Sequence, residues 1–146
     1  MDIRKDLISR MANVQKEYWN YCYEAVGDPS LKMTEVICMM FLHRKFGDTA
    51  GGIAKKYLVS ASLISKSVES LRKKGLLVSE RDEADSRVWH LRLTEKAQPV
   101  TEKLSAAHEF YVGTLLRGVS EEELETLGGV AEKFRENLET IRKSRP

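Results

Sequence analysis

A chain of 146 residues, 42% hydrophobic and 32% charged, has the length for one domain with extensions and the charge for long solvated helices. No run approaches the length of a membrane span, and the charged start MDIRKDLISR lacks the apolar run of a signal peptide; the two cysteines, Cys22 and Cys38, form neither a disulfide framework nor a metal pattern. A cytoplasmic protein with no membrane partner is expected. The formal net charge of +2 is uneven. Residues 1–42 hold 5 basic and 6 acidic side chains, residues 43–96 hold 12 and 7, and residues 97–146 hold 7 and 9. A basic middle is where a nucleic-acid footprint belongs, although a solvated surface also carries such a surplus.

Residues 3 to about 26 read as a helix, with Ile3, Leu7, Met11, Val14, Tyr18, Tyr21 or Cys22, and Ala25 at spacings of three and four. Gly27-Asp28-Pro29-Ser30 stops it. Its tail is aromatic, with Tyr18, Trp19, Tyr21 and Tyr23 around Cys22. A packed core or dimer interface is one reading of that tail. The wall of a small-molecule pocket is the other, and it would take in Tyr18, Trp19, Tyr21 and Cys22, with Met39 and Met40 of the next helix.

Thr34 is expected to cap that second helix, Glu35 to Phe46, whose middle VICMMFL is apolar nearly all round and therefore central and buried. Cys38 inside it is expected to be inert. Gly47 is a stop. A third, short helix starts at Asp48 or Thr49, with Ile53, Ala54, Tyr57 and Leu58 inward and Lys55 and Lys56 outward. Leu58-Val59-Ser60 is a tight turn into a fourth helix, and two short helices so joined make a helix-turn-helix.

The fourth helix, Ser60 to Gly75, has two unlike faces. Leu63, Ile64, Ser67, Val68 and Leu71 want a core, while Ser62, Ser65, Lys66, Glu69 and Lys73 lie opposite. Ser60 caps the start and Gly75 the end. A polar face is common on any surface helix, but small hydroxyls beside a lysine also suit a phosphate backbone and base edges.

After Gly75 the period changes from helical to alternating. Residues 76–81 and 88–93 read as a hairpin, with Trp89, Leu91 and Leu93 on one side and a charged turn at 82–87. Within that turn Asp85 can hold the Arg87 guanidinium in a bidentate pair, which rigidifies the turn and also orients an arginine toward phosphate. Thr94 is expected to cap a long helix through Val100, Leu104, Ala107, Tyr111 and Leu115, with Pro99 marking either a start near Gln98 or a kink. Gly118 breaks it, and Ser120 with Glu123 makes a capping box. The last helix carries Leu124, Leu127, Ala131, Phe134, Leu138 and Ile141, an a/d seam that needs a partner helix in its own chain or in a second subunit.

SASLISKSVESLRKKGLL (60–77) followed by DEADSRVWHLRLT (82–94) resembles the MarR (multiple antibiotic resistance regulator) family of winged helix-turn-helix transcription factors. The matching features are Leu71…Gly75-Leu76, Asp85-Ser86-Arg87 and Leu93-Thr94, in register, and the flanking helices match in order. The resemblance implies a mainly α fold with a small β-hairpin wing. It implies a DNA-binding lobe at 32–96 and dimerising helices at 1–31 and 97–146. It further implies a homodimer on a pseudo-palindromic DNA operator, read by Ser60, Ser62, Ser65, Lys66 and Arg87 with Asp85 as the arginine's partner. A small phenolic or aromatic effector and no cofactor would complete the picture. Ser70 and Ser86 stand where the family often has arginine, Ala97 where it has glycine, and Gly51-Gly52 is unusual inside a helix.

Other chemistry is weaker. There is no Ser/His/Asp set, phosphate loop or HExxH, so no enzyme is expected. The resemblance also brings zinc-responsive and peroxide-responsive variants, for which His43, His108, Glu24 and Cys22, or Cys22 alone, are the available residues. Val112 stands where a second histidine would follow His108, and Cys22 lies late in its helix beside Glu24, where thiolates are not favoured. A winged helix serving only as a protein-interaction module is the remaining alternative.

Overall fold

In the computed structural model, which describes residues 1–146, the order is α1 (Leu7–Val26), α2 (Met33–His43), α3 (Ala50–Tyr57), α4 (Ala61–Lys73), β1 (Leu77–Arg81), β2 (Trp89–Leu93), α5 (Gln98–Leu115) and α6 (Glu121–Lys143). Single 3-10 turns lie at Ile3–Lys5 and Glu95–Ala97. The chain is thus mainly α with one two-stranded antiparallel wing, the class expected. Residues Met1–Tyr111 form one unit and Val112–Pro146 a second.

The first unit is built on α2. Val36, Cys38, Met39, Met40 and Phe41 are all buried, because this helix has no polar face to give to water. Cys22 and Val26 of α1, Ile53 of α3, Ile64 and Leu71 of α4, Leu77 and Leu91 of the wing and Leu104 of α5 close around it. Tyr23 Oη ties the end of α1 to the next loop by donating to the Leu31 carbonyl at 2.8 Å. The wing pairs Leu77 with Leu93, Ser79 with Leu91 and Arg81 with Trp89. Thr94 anchors its foot: its N–H donates to the Leu76 carbonyl at 3.0 Å and its hydroxyl to the Gly75 carbonyl at 2.6 Å. Gly75 has φ of 74°, which suits glycine at the turn from helix to strand.

In the second unit, α6 starts on the expected capping box, with the Ser120 hydroxyl accepting the Glu123 N–H and the Glu123 carboxylate accepting the Ser120 N–H. None of its residues is buried: of the a/d stripe, Leu124 and Phe134 are half-buried and Leu127, Ala131, Leu138 and Ile141 are exposed.

Five local expectations change. The chain enters α1 through a 3-10 turn, because Asp2 takes both the Arg4 N–H and the Arg4 side chain and Asp6 leaves helical geometry. Thr34 does not cap α2, since its hydroxyl accepts a hydrogen bond from Ser67. The helix begins at Met33, with the Glu35 carboxylate accepting the Lys32 N–H, and it ends at His43, before Lys45 turns to a φ of 57°. Leu58 caps α3 in the left-handed conformation, which swings its side chain outward to 79% exposure. Leu63 lies at the edge of the buried Ile64–Ser67–Leu71 stripe and is exposed. Thr94 precedes a 3-10 turn, and α5 itself starts at Gln98 with Pro99 in its first turn.

Candidate nucleic-acid interface

The outward face of α4 is defined by how its back is held. Ser67 donates to Thr34 at 2.8 Å, Ser70 donates to the Glu35 carboxylate at 3.1 Å, and the Lys74 ammonium meets the same carboxylate at 2.8 Å. Together with Ile64 and Leu71 these contacts fix the helix against α2, leaving Ser62, Ser65, Lys66, Glu69 and Lys73 exposed. Ser60 has the extended backbone of an N-cap, and its hydroxyl accepts the Leu63 N–H at 3.2 Å. Its side chain is thus committed to the cap. Glu69 is engaged by Arg72 at 2.6 Å, which holds its carboxyl below the usual range, while Lys66 and Lys73 make no ion pair within 4.0 Å. Ser65, Lys66, Glu69, Ser70, Lys73 and Lys74 line an open groove of about 600 Å³ along this face.

The wing's tip is held by two aspartates in succession. The Asp82 carboxylate accepts the Ala84 and Asp85 N–H groups at 2.9 and 2.8 Å. The Asp85 carboxylate accepts the Arg87 N–H at 3.0 Å and its Nε and Nη2 at 3.0 and 3.1 Å. These contacts, the guanidinium first, hold the Asp85 carboxyl below its ordinary range. Arg87 is otherwise exposed, so the pair is the oriented arginine that the DSR spacing suggested. Trp89, expected on one side of the hairpin with Leu91 and Leu93, is 45% exposed, because the hairpin carries it beyond the core that buries Leu91. Its cross-strand neighbour Arg81 covers the ring instead, 4.7 Å from the centroid. Neither role was visible in the alternating pattern.

The candidate effector residues divide. Cys22, Met39 and Met40 are fully buried core. Tyr18 and Trp19 meet edge to face at 5.0 Å, Trp19 meets Tyr57 at 5.5 Å, and Tyr21 stacks on Phe110 at 5.6 Å. Tyr18 Oη lies 2.9 Å from His108 Nδ1. Burial raises the tyrosine pKa and lowers the histidine's, which favours the uncharged form of each, and the tautomer of the ring sets which of the two donates. His43 bonds Ser105 at 2.6 Å, and His108 is taken by Tyr18. The set His43, His108, Glu24 and Cys22 is therefore not assembled, and no three His, Cys, Asp or Glu side chains converge on one point. No helix is long and apolar enough to cross a membrane.

Comparison with known proteins agrees with this architecture. The model of the MarR family matches residues 30–88. The transcriptional regulator AdcR of Streptococcus pyogenes is 30% identical over 108 residues, covering 72% of each chain. A MarR-family transcriptional regulator from Silicibacter pomeroyi has the same fold, with a TM-score of 0.74 over 87% of this chain and 86% of its own, at 19% identity. A cysteine-to-serine mutant of ZitR from Lactococcus lactis is 29% identical, with a TM-score of 0.56 over 76% of this chain and 77% of its own. The chain belongs to the MarR family of transcriptional regulators.

Proposed function

We propose that the chain binds a pseudo-palindromic DNA operator as a homodimer. α4 enters a major groove with Ser60, Ser62, Ser65 and Lys66 at its leading end, and Arg87 reaches the backbone or an adjacent minor groove. Residues 32–96 are the DNA-binding lobe, and residues 1–31 and 97–146 supply the dimer contacts. The observation that carries this reading is the outward face of α4. Five polar and ionic groups (Thr34, Glu35, Ser67, Ser70 and Lys74) hold its back, and a hydroxyl-and-lysine face is left free. That chemistry suits phosphates and base edges, and two copies would read half-sites about one helical turn apart.

A small phenolic or aromatic effector would act through Tyr18, Trp19 and Tyr21, with the buried Cys22, Met39 and Met40 behind them. Selection of bound sequences from random duplex DNA tests the central claim. A palindromic enrichment is expected. No retention on DNA under any salt condition would instead favour a winged-helix protein-interaction module.

A further inference from the structure

His90 occupies a position that the DNA reading above does not use. It projects from β2 with both ring nitrogens engaged: Nε2 lies 2.7 Å from Asp82 Oδ1 and Nδ1 lies 3.0 Å from Asp48 Oδ2. These two carboxylates belong to different parts of the fold. Asp82 opens the turn at the wing's tip and organises it through the Ala84 and Asp85 N–H groups. Asp48 lies in the loop between α2 and α3, and its carbonyl accepts the Leu91 N–H at 2.7 Å. One ring thus joins the wing's tip to the helix-turn-helix. The carboxylates approach opposite nitrogens, so the three groups do not converge as metal ligands would.

We propose that His90 is a positioning residue for the wing: as an imidazolium it latches the tip to the α2–α3 loop, and loss of its proton releases one end of the latch. Its effect on DNA binding rests on the reading that the wing reaches DNA; the latch itself does not. The chemistry is a matter of donors. Two carboxylates offer only acceptors, and a neutral imidazole has a single N–H. Only the imidazolium satisfies both sides at once.

The surrounding charges are consistent with this. Glu80 is His90's cross-strand neighbour and is drawn 3.5 Å from Arg92, which lies two residues along β2. Lys45 and Arg92 share with Asp48 the groove at the wing's foot, and His43 also lines it. Glu83 and Asp85 lie in the tip, with Asp85 committed to Arg87. The groups in direct contact with the ring are the two acidic ones. Hydrogen bonds to Asp82 first, and to Asp48 second, hold the His90 pKa above its ordinary value. A raised pKa means that the latch contributes fully below the ordinary histidine value and is lost as pH rises through the raised one. At the acid end, Asp82 is held below the usual carboxylate range, first by His90 and then by the tip N–H groups. The Asp82 arm of the latch therefore opens at acid pH only as pH falls through the lowered Asp82 value. Between these limits it is closed, and His90 is exposed enough to exchange its proton freely with solvent.

The test is a pH titration of the full-length protein by NMR, following the histidine rings and the amides of residues 82–88, for wild type, His90→Gln and Asp48→Asn. The expected result is a His90 midpoint above that of free histidine, with the tip amides moving at the same midpoint. His90→Gln should abolish that movement, and Asp48→Asn should lower the midpoint. A His90 midpoint at or below that of free histidine, or tip amides that ignore it, overturns the latch. In parallel, affinity for a selected operator should fall several-fold across the same midpoint in wild type and lose that step in His90→Gln. The same step in both proteins overturns the coupling to DNA. If no variant binds DNA at any pH, the regulator reading fails, and the NMR titration alone decides the latch.

Discussion

The Lys74 ammonium, at the C-cap of α4, sits 2.8 Å from the carboxylate of Glu35, which is 1% exposed in the first turn of α2. Lys74 also donates to the Ser30 carbonyl at 2.6 Å, so one side chain pins the end of α4 to two points on another part of the chain. Its removal leaves a buried carboxylate with only the Ser70 hydroxyl and the Lys32 N–H. Breaking a fully buried pair costs about 3–5 kcal/mol. The remaining donors and the partial exposure of Lys74 reduce this, and Lys74→Met should destabilise by about 2–3 kcal/mol. Glu35→Gln, which keeps two polar atoms at the site, should cost less than Glu35→Leu. Urea unfolding of the three variants checks the order; a neutral Lys74→Met would show that the pair contributes nothing.

That pair also marks the limit of what the sequence discloses. The buried α2 follows from VICMMFL, the two faces of α4 from helical spacing, and the Asp85–Arg87 pair from a separation of two in a tight turn. Glu35 reads from sequence as an ordinary acid in a helix's first turn. Nothing local says that a lysine 39 residues later will reach it. The outward turn of Leu58 and the exposure of Trp89 were hidden for a different reason. Alternation and helical period give the phase of a side chain, but not where the core stops or where a helix ends in a left-handed cap. His90 is in the same class as Glu35, since both of its partners are set by tertiary structure.

Dimerisation is the next expectation. Leu127 is 56% exposed on α6, and Leu138 and Ile141 are also open to water on that helix, as are Ile8, Met11 and Val14 on α1. These exposed apolar side chains are the kind of surface that a second subunit would cover. Sedimentation at micromolar protein should show a dimer, and Leu127→Glu with Leu138→Glu should shift it to monomer. A clean wild-type monomer would sink the proposed architecture.

Both thiols should be inert in the native state. Cys22 and Cys38 are fully buried. Burial pushes the Cys38 thiol up to about 12, and it raises Cys22 as well, against a smaller downward pull from the Tyr18 hydrogen bond. A peroxide-sensing cysteine needs the opposite, a lowered pKa and access. Labelling by a soluble disulfide reagent should therefore follow the rate of unfolding. Rapid stoichiometric labelling of Cys22 in the folded protein would revive the redox-responsive reading.

The aromatic cluster gives a ligand test with its own reporter. Trp19 packs between Tyr18 and Tyr57, while Trp89 is the exposed wing residue covered by Arg81. In Trp89→Phe the remaining indole emission comes from Trp19 alone. A phenolic effector should quench it and weaken operator binding by a coupling of about 1–3 kcal/mol. If a broad panel of such compounds moves neither signal, Tyr18, Trp19 and Tyr21 serve only as packing.

The last expectation separates positioning on DNA from reading it. Lys66 lies on the outward face of α4 in the groove shared with Ser65 and Glu69. Arg87 extends from the wing with its guanidinium held by Asp85. A contact to backbone or to a narrow minor groove carries little base information. Arg87→Ala should then weaken binding to most sequences alike, and it should make the dependence of affinity on salt shallower by about one unit of slope. Lys66→Ala behaves differently if the ammonium meets a guanine edge: it should cost about 1–3 kcal/mol at one operator position and relax the preference there. Asp85→Asn keeps the positive charge but loosens its aim. Its affinity should fall part of the way toward that of Arg87→Ala, with the wild-type salt slope retained. Binding isotherms for the three variants over a salt series, on the selected operator and on a scrambled duplex, give all of these quantities. Unchanged affinity in both Lys66→Ala and Arg87→Ala would remove α4 and the wing from DNA and leave the protein-interaction reading in their place.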